Sequence, residues 1–156
     1  PTPTDWRAFA APTFIAAVAW FAMTAQMVAT PSAMAACGIP VGSVLNAVAW
    51  HVIAMYAPAF AAGAVAKLTG PRALALVGLA VIVLARYVAA QATGYVGFTA
   101  GLILVAVGWA LSTAAATMWL HREASPSRMA LAAHDAVLFF AAILGAAAAI
   151  APLGAR

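Results

Sequence analysis

The sequence predicts an all-α membrane protein of about five transmembrane helices, and three observations carry the prediction. Hydrophobic residues fill 67% of its 156 positions and charged residues only 6%, against roughly 25% charged in an ordinary soluble domain. Mean hydropathy is +1.06. The apolar residues also fall in runs near the ~20 residues that a helix needs to cross a bilayer, with short breaks between them. A chain so poor in charge cannot present a polar surface on every side, which excludes a soluble enzyme and makes lipid the solvent it fits. Residues 1–156 are read as a single transmembrane helical domain.

The first span is expected over about 11–36, kinked at Pro31. Cys37-Gly38-Ile39-Pro40-Val41-Gly42 breaks that run without any charge. A second span, about 43–66, contains Pro58 and ends in the basic turn Lys67-Leu68-Thr69-Gly70-Pro71-Arg72. The third, about 73–92, carries Arg86 and is followed by the uncharged turn Thr93-Gly94-Tyr95. The fourth, about 96–120, leads into a charged turn from His121 to Ser127 with Ser-Pro punctuation. The fifth runs over about 128–151, before Pro152-Leu153-Gly154-Ala155-Arg156. Gly97, Gly101 and Gly108 are small residues of the kind that lets helix backbones approach closely in lipid.

The net charge is +4, but its distribution argues against nucleic acid. Arg7, Lys67, Arg72, Arg122 and Arg128 all precede or follow spans in alternate loops, the pattern that orients a membrane protein. These residues are expected on the cytoplasmic side, and loops 37–42 and 93–95 on the other. Arg156 alone departs from the pattern. The first apolar run is long and lacks a basic leader, so it is expected to be a span and not a cleaved signal. The single cysteine, Cys37, excludes an internal disulfide.

Two pairs of residues could carry chemistry. Met23 and Met27 are spaced i, i+4 on the first span, and His51 and Met55 have the same spacing on the second, so each pair shares a helix face. Counted from the uncharged ends at ~1.5 Å per residue, Met27 lies about 13 Å deep and His51 about 12 Å, with Met23 and Met55 at about 19 and 18 Å. On antiparallel neighbours the pairs come level near mid-membrane. Thioethers with an imidazole form a soft ligand set suited to copper, particularly Cu(I), and unsuited to magnesium or calcium. The alternative is that the methionines fill gaps in an Ala-rich core and His51 bonds a neighbouring carbonyl. His134-Asp135, about 9 Å inside the fifth span, is a second candidate, as a proton carrier or lower metal relay, because intramembrane ionisable residues are functional by default. A structural hydrogen bond is its alternative. Arg86 is read as snorkelling to the uncharged face.

The stretch Trp50-His51-Val52-Ile53-Ala54-Met55-Tyr56-Ala57-Pro58-Ala59-Phe60-Ala61-Ala62-Gly63, running on to Lys67-Leu68-Thr69-Gly70, resembles the eighth span and following loop of bacterial major facilitator superfamily transporters. Ala29-Thr30-Pro31 and Cys37-Gly38 are similar to the end of the seventh span in that group. The paired M-x3-M and H-x3-M motifs resemble the copper importers that supply cbb-type cytochrome oxidase. The resemblance implies spans seven to eleven of a twelve-span fold, multi-pass in the bacterial inner membrane. It implies copper as the transported ion, with Met23, Met27, His51 and Met55 as its ligands. A facilitator binds its cargo between two halves, so further spans or another membrane chain are the expected partner besides lipid and copper.

Two other functions compete with copper import. A non-transporting accessory subunit, packed against a larger respiratory or photosynthetic membrane complex, would explain the short length and the many small residues. A haem protein ligated by His51 and His134 is disfavoured, because no span carries the histidine pair that a two-haem bundle needs.

Overall fold

Inside lipid a backbone has only itself to hydrogen-bond, so Ala-rich apolar runs become helices. The structure, a computed structural model, describes residues 6–124 and 126–151. The side chain of Arg7 and the stretch 152–156 with Arg156 lie outside the described residues. The helices in chain order are α1 (Trp6–Ala36), α2 (Val41–Tyr56), α3 (Ala59–Thr69), α4 (Pro71–Gln91), α5 (Tyr95–Glu123) and α6 (Arg128–Ile150). Four of them, α1, α4, α5 and α6, are long and apolar enough to cross a membrane, and α2 with α3 supplies a fifth crossing when taken as one bent span. The protein is an all-α, multi-pass membrane protein.

Pro31 and Pro58 sit differently in the chain. Pro31, where a kink is expected, lies with Pro12 inside α1, which runs as one helix. On either side of Pro31, the Thr30 and Ser32 hydroxyls donate back to the Gln26 and Ala29 carbonyls and hold the turn together. Pro58 lacks an N–H, crowds the carbonyl of Ala54, and has only alanines beside it. There the second expected span divides, and α2 and α3 meet at 48°. Beyond α3, Gly70 takes φ +84°, a left-handed conformation natural to glycine, and Pro71 opens α4 at its first turn. Ser127 caps α6 by accepting from the Ala130 N–H at 3.2 Å.

The central helix is α5, which packs against α4, α1 and α2, while α6 packs on α1. Glycines permit the closest crossings. A Cβ at Gly78 would lie 2.6 Å from the Ser112 backbone nitrogen and 2.7 Å from the Gly108 carbonyl oxygen. A Cβ at Gly145 would overlap the Phe21 carbonyl, where α6 crosses α1. The Ser112 hydroxyl donates to the Ala75 carbonyl at 3.0 Å across the first of these crossings, a use of small and hydroxylated residues typical of helix association in lipid.

The two ends of the bundle differ in charge. At one end Arg72 pairs with Glu123, and the Arg72 guanidinium lies 5.2 Å over the Trp119 ring. Phe9, Leu120, Ala124 and Ala130 pack together at that end and join the start of α1 to the α5–α6 turn. At the other end Met34, Ala47, Phe98 and Leu102 cluster with Ile39 and Tyr95, and the Tyr95 hydroxyl donates to Asn46 Oδ1 at 3.2 Å. Cys37, exposed in the α1–α2 loop, belongs to this uncharged end. A membrane-impermeant thiol reagent is therefore expected to reach Cys37 from one side only. It should reach Thr69→Cys, in a Cys37→Ser background, only from the other. Labelling of both from the same side would overturn the five-crossing topology.

Candidate functional site

His51 faces inward from the middle of α2 and is fully buried. Its Nδ1 lies 2.8 Å from the Leu102 carbonyl oxygen of α5. A carbonyl can only accept, so Nδ1 carries the proton, and in a neutral imidazole Nε2 is then an unprotonated lone pair. That Nε2 is buried and has no hydrogen-bond partner. Histidines that ligate metals commonly have this arrangement, one ring nitrogen anchored by a carbonyl and the other free.

Met23 is buried, and it packs with Ile82, Ala85 and Val105 in a cluster that Met27 and Met55 also join. Thus α1 and α2 bring three thioethers to one mid-bundle cluster, walled by α4 and α5. His51 stands one turn from Met55 on the same helix. Pro31 also leaves the Met27 carbonyl without the N–H that an ordinary residue would direct to it. Among the described residues no three His, Cys, Asp or Glu side chains gather to hold a metal, so any ligand set here is built on thioethers.

The second candidate lies elsewhere. His134 is buried on α6, with Nδ1 2.9 Å from the Thr13 hydroxyl of α1 and its ring edge-on to Phe9 at 6.3 Å. Phe9 belongs to the cluster at the basic end, whereas His51 is held on Leu102 from the uncharged end. The two histidines therefore stand toward opposite ends of the bundle. Asp135, the neighbour of His134, is exposed on α6. Removing the hydroxyl with Thr13→Val is expected to destabilise the protein by about 0.5–1.5 kcal/mol, the usual range for interhelical hydrogen bonds in lipid. Thermal unfolding in detergent measures this. A collapse of copper uptake in the same variant would instead place His134 in a transport path.

Gln26, which the sequence reading passed over, is 1% exposed. Its Nε2 donates to the Gly101 carbonyl at 2.8 Å, one residue from the carbonyl that anchors His51. A glutamine between two methionines in an apolar run was the available sign, since polar groups at that depth need a partner. Arg86, read as snorkelling, is exposed on α4 and also borders a cavity of about 140 Å3 with Gln26 and Thr30.

The riboflavin transporter RfnT of Brucella anthropi is 30% identical to this chain over 135 residues, a match that covers 82% of this chain and 34% of the transporter. The chain thus spans about a third of the length of the curated relative it matches. No family model matches the chain, and no solved structure matches it significantly.

Proposed function

We propose that this chain is part of a membrane transporter, not an enzyme, and that Met23, Met27, His51 and Met55 carry Cu(I) through its share of the path. The supporting observation is the buried, partnerless Nε2 of His51, one turn from a thioether that clusters with two more. All four donors are neutral. Their complex with a monovalent ion keeps a single charge in an apolar setting, and the desolvation penalty rises steeply with charge. Thioethers and imidazole also favour a soft ion over a hard one. The remaining spans of the path, and the inner membrane as its location, follow from the resemblance to major facilitator transporters.

Copper uptake by cells that depend on the intact protein tests the reading. His51→Ala is expected to abolish uptake at matched protein levels, and Met23→Ala to reduce it more mildly, because a neighbouring thioether substitutes in part. Equal uptake by His51→Ala and wild type would reduce the paired motifs to packing residues and favour the accessory-subunit reading.

A second reading has its own support. Similarity to a riboflavin transporter favours an organic, heterocyclic cargo. Uptake of riboflavin by the intact protein, insensitive to His51→Ala, separates this reading from the first.

A further inference from the structure

At the basic end of the bundle, α3 and α5 finish side by side, and the cleft between them changes character along its length. It is a cavity of about 420 Å3 bordered by α3, the start of α4 and the last turns of α5. Past the break at Pro58, α3 departs by 48° from the direction of α2, and the cleft lies between it and α5. On α3, Gly63 lines the cleft one turn before Lys67, and a Cβ at Gly63 would meet nothing within 4 Å. On α5, Thr117 and Met118 line it one turn before His121 and Arg122. Ala66 and Met118 join the packed cluster of Leu74, Ala75 and Ala115, so the floor of the cleft is apolar. Lys67 lies in the last turn of α3, and His121 and Arg122 in the last turn of α5. Small and apolar residues therefore stand deeper in the bundle, and three basic residues stand at the rim.

The rim carries positive charge that the protein leaves unpaired. Lys67, His121 and Arg122 are exposed and have no hydrogen-bond or ion-pair partner among the described residues. Glu123, whose charge Arg122 feels, is already paired with Arg72. Pro71 borders the cleft and opens α4, whose first turn has no acidic residue and no side-chain cap, so the partial positive charge of that helix start is uncompensated. Cations in a last turn also offset the negative end of their own helix, a role that would need no ligand.

Ligand classes are separated by this arrangement. Free phosphate would use the rim and leave the apolar cleft unfilled. An uncharged apolar molecule would fill the cleft and leave the cations unused. A zwitterionic phospholipid brings a cation of its own to a rim that is already basic. An anionic phospholipid answers both parts, and basic pockets between membrane helices are suited to anionic headgroups.

We propose that the cleft between α3 and α5 binds one anionic phospholipid, with an acyl chain laid along Gly63 and Met118. Its phosphate faces Lys67 and Arg122, and His121 donates from whichever ring nitrogen carries its proton. The site is independent of both the copper and the flavin readings.

The test titrates the intact protein, delipidated in detergent, with dioleoyl phosphatidylglycerol and dioleoyl phosphatidylcholine, and counts bound lipid by native mass spectrometry. Wild-type protein is expected to bind one phosphatidylglycerol about tenfold or more tightly than phosphatidylcholine, since each basic residue near a membrane surface adds to the attraction for anionic lipid. Lys67→Gln combined with Arg122→Gln is expected to lose most of that preference. Arg128→Gln, which removes a charge at the start of α6 and outside the cleft, is expected to keep it. Gly63→Phe is expected to weaken phosphatidylglycerol binding with every cation in place, because the ring takes the space of the acyl chain. Inorganic phosphate is not expected to compete. Equal binding of the two lipids, or a loss in Arg128→Gln as large as in Lys67→Gln or Arg122→Gln alone, would overturn the proposal and leave only diffuse surface charge. Displacement by inorganic phosphate, or wild-type binding by Gly63→Phe, would overturn it in favour of a soluble-anion site. The comparison of the two lipids on the wild-type protein stands even where a variant fails to fold.

Discussion

Gly78→Val and Gly145→Val are each expected to destabilise the protein by about 3 kcal/mol or more, at the upper end of what overpacking does to a well-packed interior. At Gly78 the first added carbon would already overlap backbone atoms of Ser112 and Gly108, and at Gly145 it would overlap the Phe21 carbonyl. Backbone atoms of a helix cannot rotate aside as a side chain can. The helices must separate, and with them go the contacts of α4 with α5 or of α6 with α1. Gly63→Val is the control, because a Cβ at Gly63 meets nothing within 4 Å. Thermal unfolding in detergent should show large losses of Tm for the first two variants and a small change for the third. Equal behaviour of all three would mean that the crossings are looser than described.

The second large effect is expected at His51, and two substitutions separate its anchoring role from its proposed ligand role. An asparagine places its side-chain N–H near the position of the imidazole Nδ1, so His51→Asn is expected to keep the bond to the Leu102 carbonyl and remove Nε2. His51→Ala removes both, including the bond that the Leu102 carbonyl accepts in addition to its own helical one, a loss of about 0.5–1.5 kcal/mol. On the copper reading both variants lose uptake at least about tenfold, although His51→Asn stays close to wild type in thermal stability. Isothermal titration of the purified, intact protein with Ag(I), a soft monovalent stand-in for Cu(I), should show the same loss of binding in both. Wild-type uptake by His51→Asn would leave the histidine a purely structural role.

The membrane class was legible in the sequence because it depends on sums. Too few charges to clothe a surface and apolar runs of spanning length need no knowledge of packing. The spans came out close to the helices, with α4, α5 and α6 beginning and ending within a few residues of the expected limits. Alternation of charged and uncharged loops was equally legible, because orientation is set by loop composition. Spacing placed Met23 with Met27, and His51 with Met55, on shared helix faces.

What the sequence could not decide is which faces meet. The partner of His51 is a backbone carbonyl of α5, a group every residue carries and no pattern marks. Pro31 and Pro58 look alike as residues, yet one lies within a continuous helix and the other at a 48° break. The difference lies in the hydroxyl donors beside Pro31 and the alanines beside Pro58, together with what packs around each. Arg86 has the same chemistry wherever it stands, and only the crossing of α1, α4 and α5 makes it border the cavity that Gln26 also lines. In a chain this apolar, composition and periodicity determine that there are helices and how they thread the membrane. Because lipid solvates one apolar face as well as another, the pairing of faces is left to local fit: missing Cβ atoms at crossings and buried polar groups that must find partners.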